Sequence, residues 1–234
     1  MDDLPHELHM IEHLMNEGYM DQALKKLEEL SKEHPDDYSV ISLLGEAYLY
    51  SGKPEKAIKP LLWSSKSFPS EDMVEDEEGP DEKLPESSDP EMTATRRLKK
   101  IFESHENNPW YDHFLLGCAY GRTMKLKRAI KHLQVADKLS PNNTEVLRNL
   151  GWIHCMLGGT GVGRNLLHKA IELDPHNALA YNDLGASLMF EGYVEEANVW
   201  ISKALEIDPE DEFIRATAEK LEEFMTLQKL FPIR

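Results

Sequence analysis

Residues 144–177 read TEVLRNLGWIHCMLGGTGVGRNLLHKAIELDPHN, and residues 178–211 read ALAYNDLGASLMFEGYVEEANVWISKALEIDPED. Laid one over the other, the two stretches agree place by place. Leu150-Gly151 falls on Leu184-Gly185, Gly158 on Gly192, Ala170 on Ala204, and Asp174-Pro175 on Asp208-Pro209. The stretch before them, 110–143, supplies Leu116-Gly117, Ala129, Ala136 and Ser140-Pro141, with Met124 in the fifteenth place where its successors have glycine. Further upstream, 38–71 gives Leu44-Gly45, Gly52, Ala57 and Pro69. Residues 4–37 give Gly18, Ala23, Leu30 and Pro35, with Ile11 in the place of the eighth glycine. Pro35 and Pro69 are 34 residues apart, and so are Pro141, Pro175 and Pro209 in turn. Self-similarity at a fixed period marks a chain built from one stacked supersecondary element.

The chemistry of the repeat predicts that element. Each copy reads as helix, turn, helix, with glycine near the end of the first helix and proline after the second. Small residues in the eighth and twentieth places let the two helices approach, and larger apolar residues fill the groove beside them. A single helix pair cannot bury its apolar face. Stacking its neighbours makes the core continuous.

On these residues the chain resembles the tetratricopeptide repeat family over about three-quarters of its length. The resemblance implies an all-α fold, a right-handed superhelical solenoid of helix-turn-helix repeats whose first helices line a concave surface. The expected organisation is a block of two repeats (4–69), an acidic flexible insertion (70–91), one helix of a degenerate repeat (92–109), a block of three repeats (110–211) and a capping helix (212–230). The capping helix is expected because Phe213, Ile214, Ala218, Leu221, Phe224 and Met225 form an apolar stripe opposite Glu212, Glu219, Glu222 and Glu223. An open last repeat would leave its apolar face in water.

The insertion breaks the period, since Pro69 and Pro109 stand 40 residues apart. Residues 70–91 hold eleven Asp or Glu against the single Lys83, with three prolines, a composition that cannot offset the entropy of ordering. The run reads either as a solvated linker or as a tether over the basic residues that follow it, Arg96, Arg97, Lys99 and Lys100 among them. In 92–108, Leu98, Ile101 and Phe102 share a helical face.

Charge and composition exclude several classes. A formal net charge of −17 argues against nucleic acid as a partner, since phosphate contacts need Lys and Arg. No apolar stretch reaches the roughly 20 residues that span a bilayer, and the Met1-Asp2-Asp3 start is acidic where a secretory signal is basic. The expectation is a cytoplasmic protein, with Cys118 and Cys155 as reduced thiols.

Three motifs invite catalytic or cofactor readings. His9-Met10-Ile11-Glu12-His13 has the inverted zinc-protease spacing, but it sits in a repeat helix with no third ligand beside it. Gly158-Gly159-Thr160-Gly161-Val162-Gly163 lacks both the preceding strand and the Lys-Ser/Thr of a phosphate loop, so it reads as a turn. Asn142-Asn143-Thr144 is a sequon without a signal peptide. No nucleophile lies beside a base in a recognisable arrangement. The expectation is no enzyme, no cofactor and no metal.

What the resemblance does imply is a peptide groove. Its inward-facing places in the last three repeats supply Tyr111, Phe114, Arg122, Arg148, Asn149, Trp152, Asn182 and Phe190. Asn149 and Asn182 offer a donor and an acceptor each to a peptide backbone. Arg122 and Arg148 suit an acidic ligand residue, and the aromatic residues suit apolar anchors. At the places where chaperone-serving members of the family clamp a terminal carboxylate, only Asn149 fits, so that clamp is not expected. The function this implies is a protein-binding adaptor, scaffold or co-chaperone-like module for a protein or peptide partner. The alternative is a self-assembling scaffold, a homo-oligomer made through repeat stacking.

Overall fold

The computed structural model describes residues 4–66 and 109–230, which form eleven α-helices and no strand. They are α1 (Leu4–Asn16), α2 (Met20–Glu33), α3 (Tyr38–Tyr50), α4 (Pro54–Lys66), α5 (Pro109–Arg122), α6 (Leu126–Leu139), α7 (Thr144–Met156), α8 (Thr160–Leu173), α9 (Ala178–Phe190), α10 (Val194–Ile207) and α11 (Glu212–Leu230). The fold is an all-α helical repeat. The acidic run 70–91 and the helix expected over 92–108 lie outside the described residues.

The repeat phrase encodes its own helix ends. Two residues after the closing proline stands an Asp or Asn whose side-chain oxygen accepts from the first free backbone N–H groups of the next helix. Asp37 accepts from Val40, Asn143 from Glu145 and Val146, Asn177 from Ala180, and Asp211 from Ile214. Each such cap contributes about 1 kcal/mol. Inside each helix pair, the fifteenth place turns the chain through positive φ. Gly18, Gly52, Gly158 and Gly192 occupy it at 72° to 88°, and Met124 occupies it at 59°. Methionine carries there a Cβ strain of roughly 1–2 kcal/mol that glycine avoids.

The chain divides into two compact units, Met1–Leu139 and Ser140–Arg234. In the first, α1 packs on α2, α2 on α3 and α3 on α4, and α5 packs directly on both α3 and α4 before pairing with α6. The third helix pair therefore belongs with the first two, and the division falls between the third and fourth repeats. Ile11, Met15, Ala23, Leu24, Leu27, Val40 and Leu44 form the core of the opening pairs. In the second unit, α7 pairs with α8 and α9 with α10, α7 and α8 pack on α9, and α11 packs on α9 and α10. Ile214 and Leu221 of α11 are buried against the last pair, beside Tyr181 and Ala204 and beside Leu188 and Ile201 respectively. No helix among the described residues is long and apolar enough to cross a membrane.

Candidate protein-binding surface

In the first unit the inward places of α3 and α5 meet each other. Tyr111 is buried, and its hydroxyl donates to Glu46 Oε1 at 2.8 Å. The next residue returns the contact, since Asp112 accepts from Tyr38 Oη at 2.8 Å and from Ser42 Oγ at 2.6 Å. Phe114 is buried and stacks on Tyr111. Arg122 Nη1 donates to the Leu49 carbonyl at 2.9 Å. So Tyr111 and Phe114, expected as groove anchors, are here buried core residues, and Tyr111 joins the second repeat to the third. The inward register of Tyr111 brings it against α3, whose own inward places are Ser42 and Glu46. Tyr38 and Asp112 escaped the sequence reading; the signal was an aspartate inside the apolar run Trp110–Leu116, which folding allows only if it is hydrogen-bonded.

This joint sets a pH dependence. Burial pushes the Glu46 carboxyl up to about 8, with the Tyr111 hydrogen bond opposing and the charges of Glu12 and Asp112 adding to the rise. Burial also raises Asp112. A carboxyl whose folded value lies above its unfolded one contributes stability below the unfolded value, and loses it as pH rises through the folded value. Glu46 therefore weakens the fold between about pH 4.5 and about pH 8. Against Glu46→Gln, the native chain is expected to lose on the order of 5 kcal/mol over that window, read by denaturant melts at a series of pH values. Parallel curves for the two proteins would contradict the assignment. The neighbouring pair His113 and His132 lies buried with Nδ1 atoms 3.0 Å apart, so one neutral ring donates to the other, and burial lowers His113 to about 4.

In the second unit, the same inward places come together on α7 and α9. Arg148 Nη1 donates to Asp183 Oδ2 at 2.7 Å, and Nη2 donates to Glu145 Oε2 at 3.1 Å. Burial opposes the guanidinium charge, but Glu145 and Asp183 outweigh it and hold Arg148 protonated. The other oxygen of Glu145 accepts from Asn177 Nδ2 at 3.0 Å. Asn149 Nδ2 donates one turn back to the Glu145 carbonyl at 2.8 Å. Asn182 is fully buried, and neither its Oδ1 nor its Nδ2 meets a hydrogen-bond partner among the described residues. Towards the ends of the helices, Trp152 and Phe190 lie 6.0 Å apart at 39°, and Phe190 is 75% exposed. Burial raises the Cys155 thiol, against a hydrogen bond from Ser187.

Five of the eight expected residues, Arg148, Asn149, Trp152, Asn182 and Phe190, thus share the α7–α9 pair. Tyr111, Phe114 and Arg122 belong to the first unit. Among the described residues no group of three or more His, Cys, Asp or Glu is placed to hold a metal ion. His9 and Glu12 of the zinc-like motif approach to 3.8 Å on an exposed helix face.

Helix pairs that recur in register, each capped by the residue that opens the next, define a helical-repeat protein. Residues 178–211 match the family model for the tetratricopeptide repeat. Among solved structures it is similar to TTC0263, a thermophilic TPR protein of Thermus thermophilus, at 18% identity over 93% of this chain and 97% of that one, with a TM-score of 0.62. It is also similar to MamA of Desulfovibrio magneticus RS-1, at 15% identity over 91% and 98%, with a TM-score of 0.59. YrrB, described as a TPR protein with an unusual peptide-binding site, matches at 17% identity over 92% and 90%, with a TM-score of 0.55. At these identities the likeness is one of fold. No curated protein sequence matches the chain.

Proposed function

We propose that the chain is a non-enzymatic protein-binding module, an adaptor or co-chaperone-like scaffold, that takes a peptide segment on the α7–α9 face of its second unit. The observation that carries this reading is Asn182. A buried amide with both polar atoms unpaired among the described residues costs about 1–3 kcal/mol, and a leucine there would not. An unsatisfied buried group in a native fold calls for an explanation, and a peptide ligand supplies one. The side-chain amide matches a peptide group, donor to acceptor and acceptor to donor. Asn149 one repeat earlier and the aromatic pair Trp152 and Phe190 extend the same face. The described peptide-binding site of YrrB adds support by analogy of fold.

Because Asn182 is sealed, its engagement requires the side chains over it to part, so association is expected to be slower than for a preformed surface. The test uses peptides selected from a random library on the full chain. Asn149→Ala combined with Asn182→Ala is expected to lose at least tenfold in affinity with helical content unchanged, a loss of about 1.4 kcal/mol. Equal capture by the double variant would remove the asparagines from the site.

A further inference from the structure

The sequence suggested that Arg122 and Arg148 await an acidic ligand, and the geometry points elsewhere. Arg148 is gripped by Asp183 and Glu145 at 2.7 and 3.1 Å. Arg164 of α8 pairs with Glu191, the residue next to Phe190, at 2.9 Å. Arg122, in the first unit, donates to the Leu49 carbonyl. The guanidinium groups of Arg148 and Arg164 thus serve the fold, each bound to carboxylate oxygen. Residues 140–234 hold fifteen Asp or Glu against eight Lys or Arg, a net charge of −7 (8 minus 15). A ligand carboxylate arriving here meets like charge.

A cation meets the opposite. Trp152 and Phe190, from successive repeats, present a tilted pair of rings with Phe190 mostly exposed. A lone exposed aromatic residue is ordinary on a protein surface. Two rings in contact form a different surface, because ring faces attract a guanidinium or ammonium group, and Glu191, ion-paired with Arg164, follows Phe190 in the chain. Desolvation by the rings strengthens the attraction, and the net negative field of the unit steers a basic segment towards it.

We infer that the α7–α9 face takes a basic segment in which Lys or Arg alternates with apolar residues, the cationic side chains lying over Trp152 and Phe190. This rests on the peptide-binding reading above and adds the chemistry of the partner. The apolar residues of such a segment supply the buried contact, and its backbone supplies the groups that match Asn182.

Three peptides of one length test the inference, with the same leucine positions alternating with Lys, Gln or Glu. Binding to the full chain is measured by fluorescence anisotropy at physiological salt. The Lys peptide is expected to bind about tenfold more tightly than the Gln peptide, and the Glu peptide more weakly than either. Phe190→Ala and Trp152→Leu are each expected to remove most of the Lys preference, and Phe224→Ala, at an exposed ring on α11, is expected to leave it intact. A Gln or Glu peptide that binds as tightly as the Lys peptide, and still loses affinity in Phe190→Ala, overturns the charge inference but leaves the peptide face standing. Lys-peptide binding indifferent to Phe190 and Trp152 reflects attraction to the acidic chain at large and overturns the inference. If no peptide responds to Phe190, Trp152 or Asn182, the peptide face falls with it.

Discussion

Gly163→Ala is expected to destabilise the unit Ser140–Arg234 by on the order of 3 kcal/mol or more, as read by denaturant unfolding. A Cβ at this position would lie 2.4 Å from Cys155 Sγ, 2.5 Å from the Gly151 carbonyl oxygen and 2.8 Å from the Cys155 amide nitrogen. Two of those three atoms are backbone and cannot swing aside. The helices α7 and α8 must separate to accept a methyl group, and the packing on either side opens with them. Gly161, two residues earlier on α8, has nothing within 4 Å of a built Cβ. Gly161→Ala is therefore expected to be neutral or stabilising by up to about 1 kcal/mol, since helical glycine carries an entropic cost. At the equivalent first-helix glycines the obstacle differs. Gly45 and Gly117 face the side chains of Leu61 and Leu133, which can change rotamer. If Gly163→Ala proves no more costly than Gly161→Ala, the close approach of α7 and α8 is wrong.

The second large effect belongs to Arg148. Its guanidinium joins α7 to α9 through Asp183, whose side chain is 4% exposed, and braces Glu145 on its own helix. Arg148→Met strips the guanidinium from a buried carboxylate, and breaking a buried pair in this way costs about 3–5 kcal/mol. Removing both charges is another matter. Arg148→Met with Asp183→Leu is expected to recover most of the loss, because apolar replacements of buried pairs are often neutral or better. A thermal melt of the two variants separates these cases. A double variant as unstable as the single would mean that the pair holds the helices in place by geometry rather than by charge balance.

Much of this architecture was legible in the sequence because the repeat states it more than once. The period marked out the helix pairs, and the fifteenth place, shared by Met124, Gly158 and Gly192, marked the turn inside each pair. The fate of individual inward places was not legible. Periodicity puts Tyr111, Phe114, Arg148 and Asn182 on one helix face alike. It does not say that Tyr111 meets Glu46 of α3, or that Arg148 meets a carboxylate 35 residues away. The twentieth place showed only that Gly163 is small. That Cys155 Sγ and the Gly151 carbonyl fill the space beside it depends on how closely two helices approach, which no single-helix pattern records. Likewise an asparagine at an inward place predicts a polar contact, and Asn182 is informative because it has found none among the described residues.

The buried amide of Asn182 as a ligand group is the centre of the account, and one paired measurement addresses it. Thermal melts of the native chain and of Asn182→Leu are recorded with and without a saturating library-selected peptide. The account predicts that the leucine variant melts higher when free, by an amount corresponding to roughly 1–3 kcal/mol, and gains nothing from the peptide that stabilises the native chain. A leucine variant that melts lower when free, and is stabilised by the peptide as much as the native chain, would contradict it.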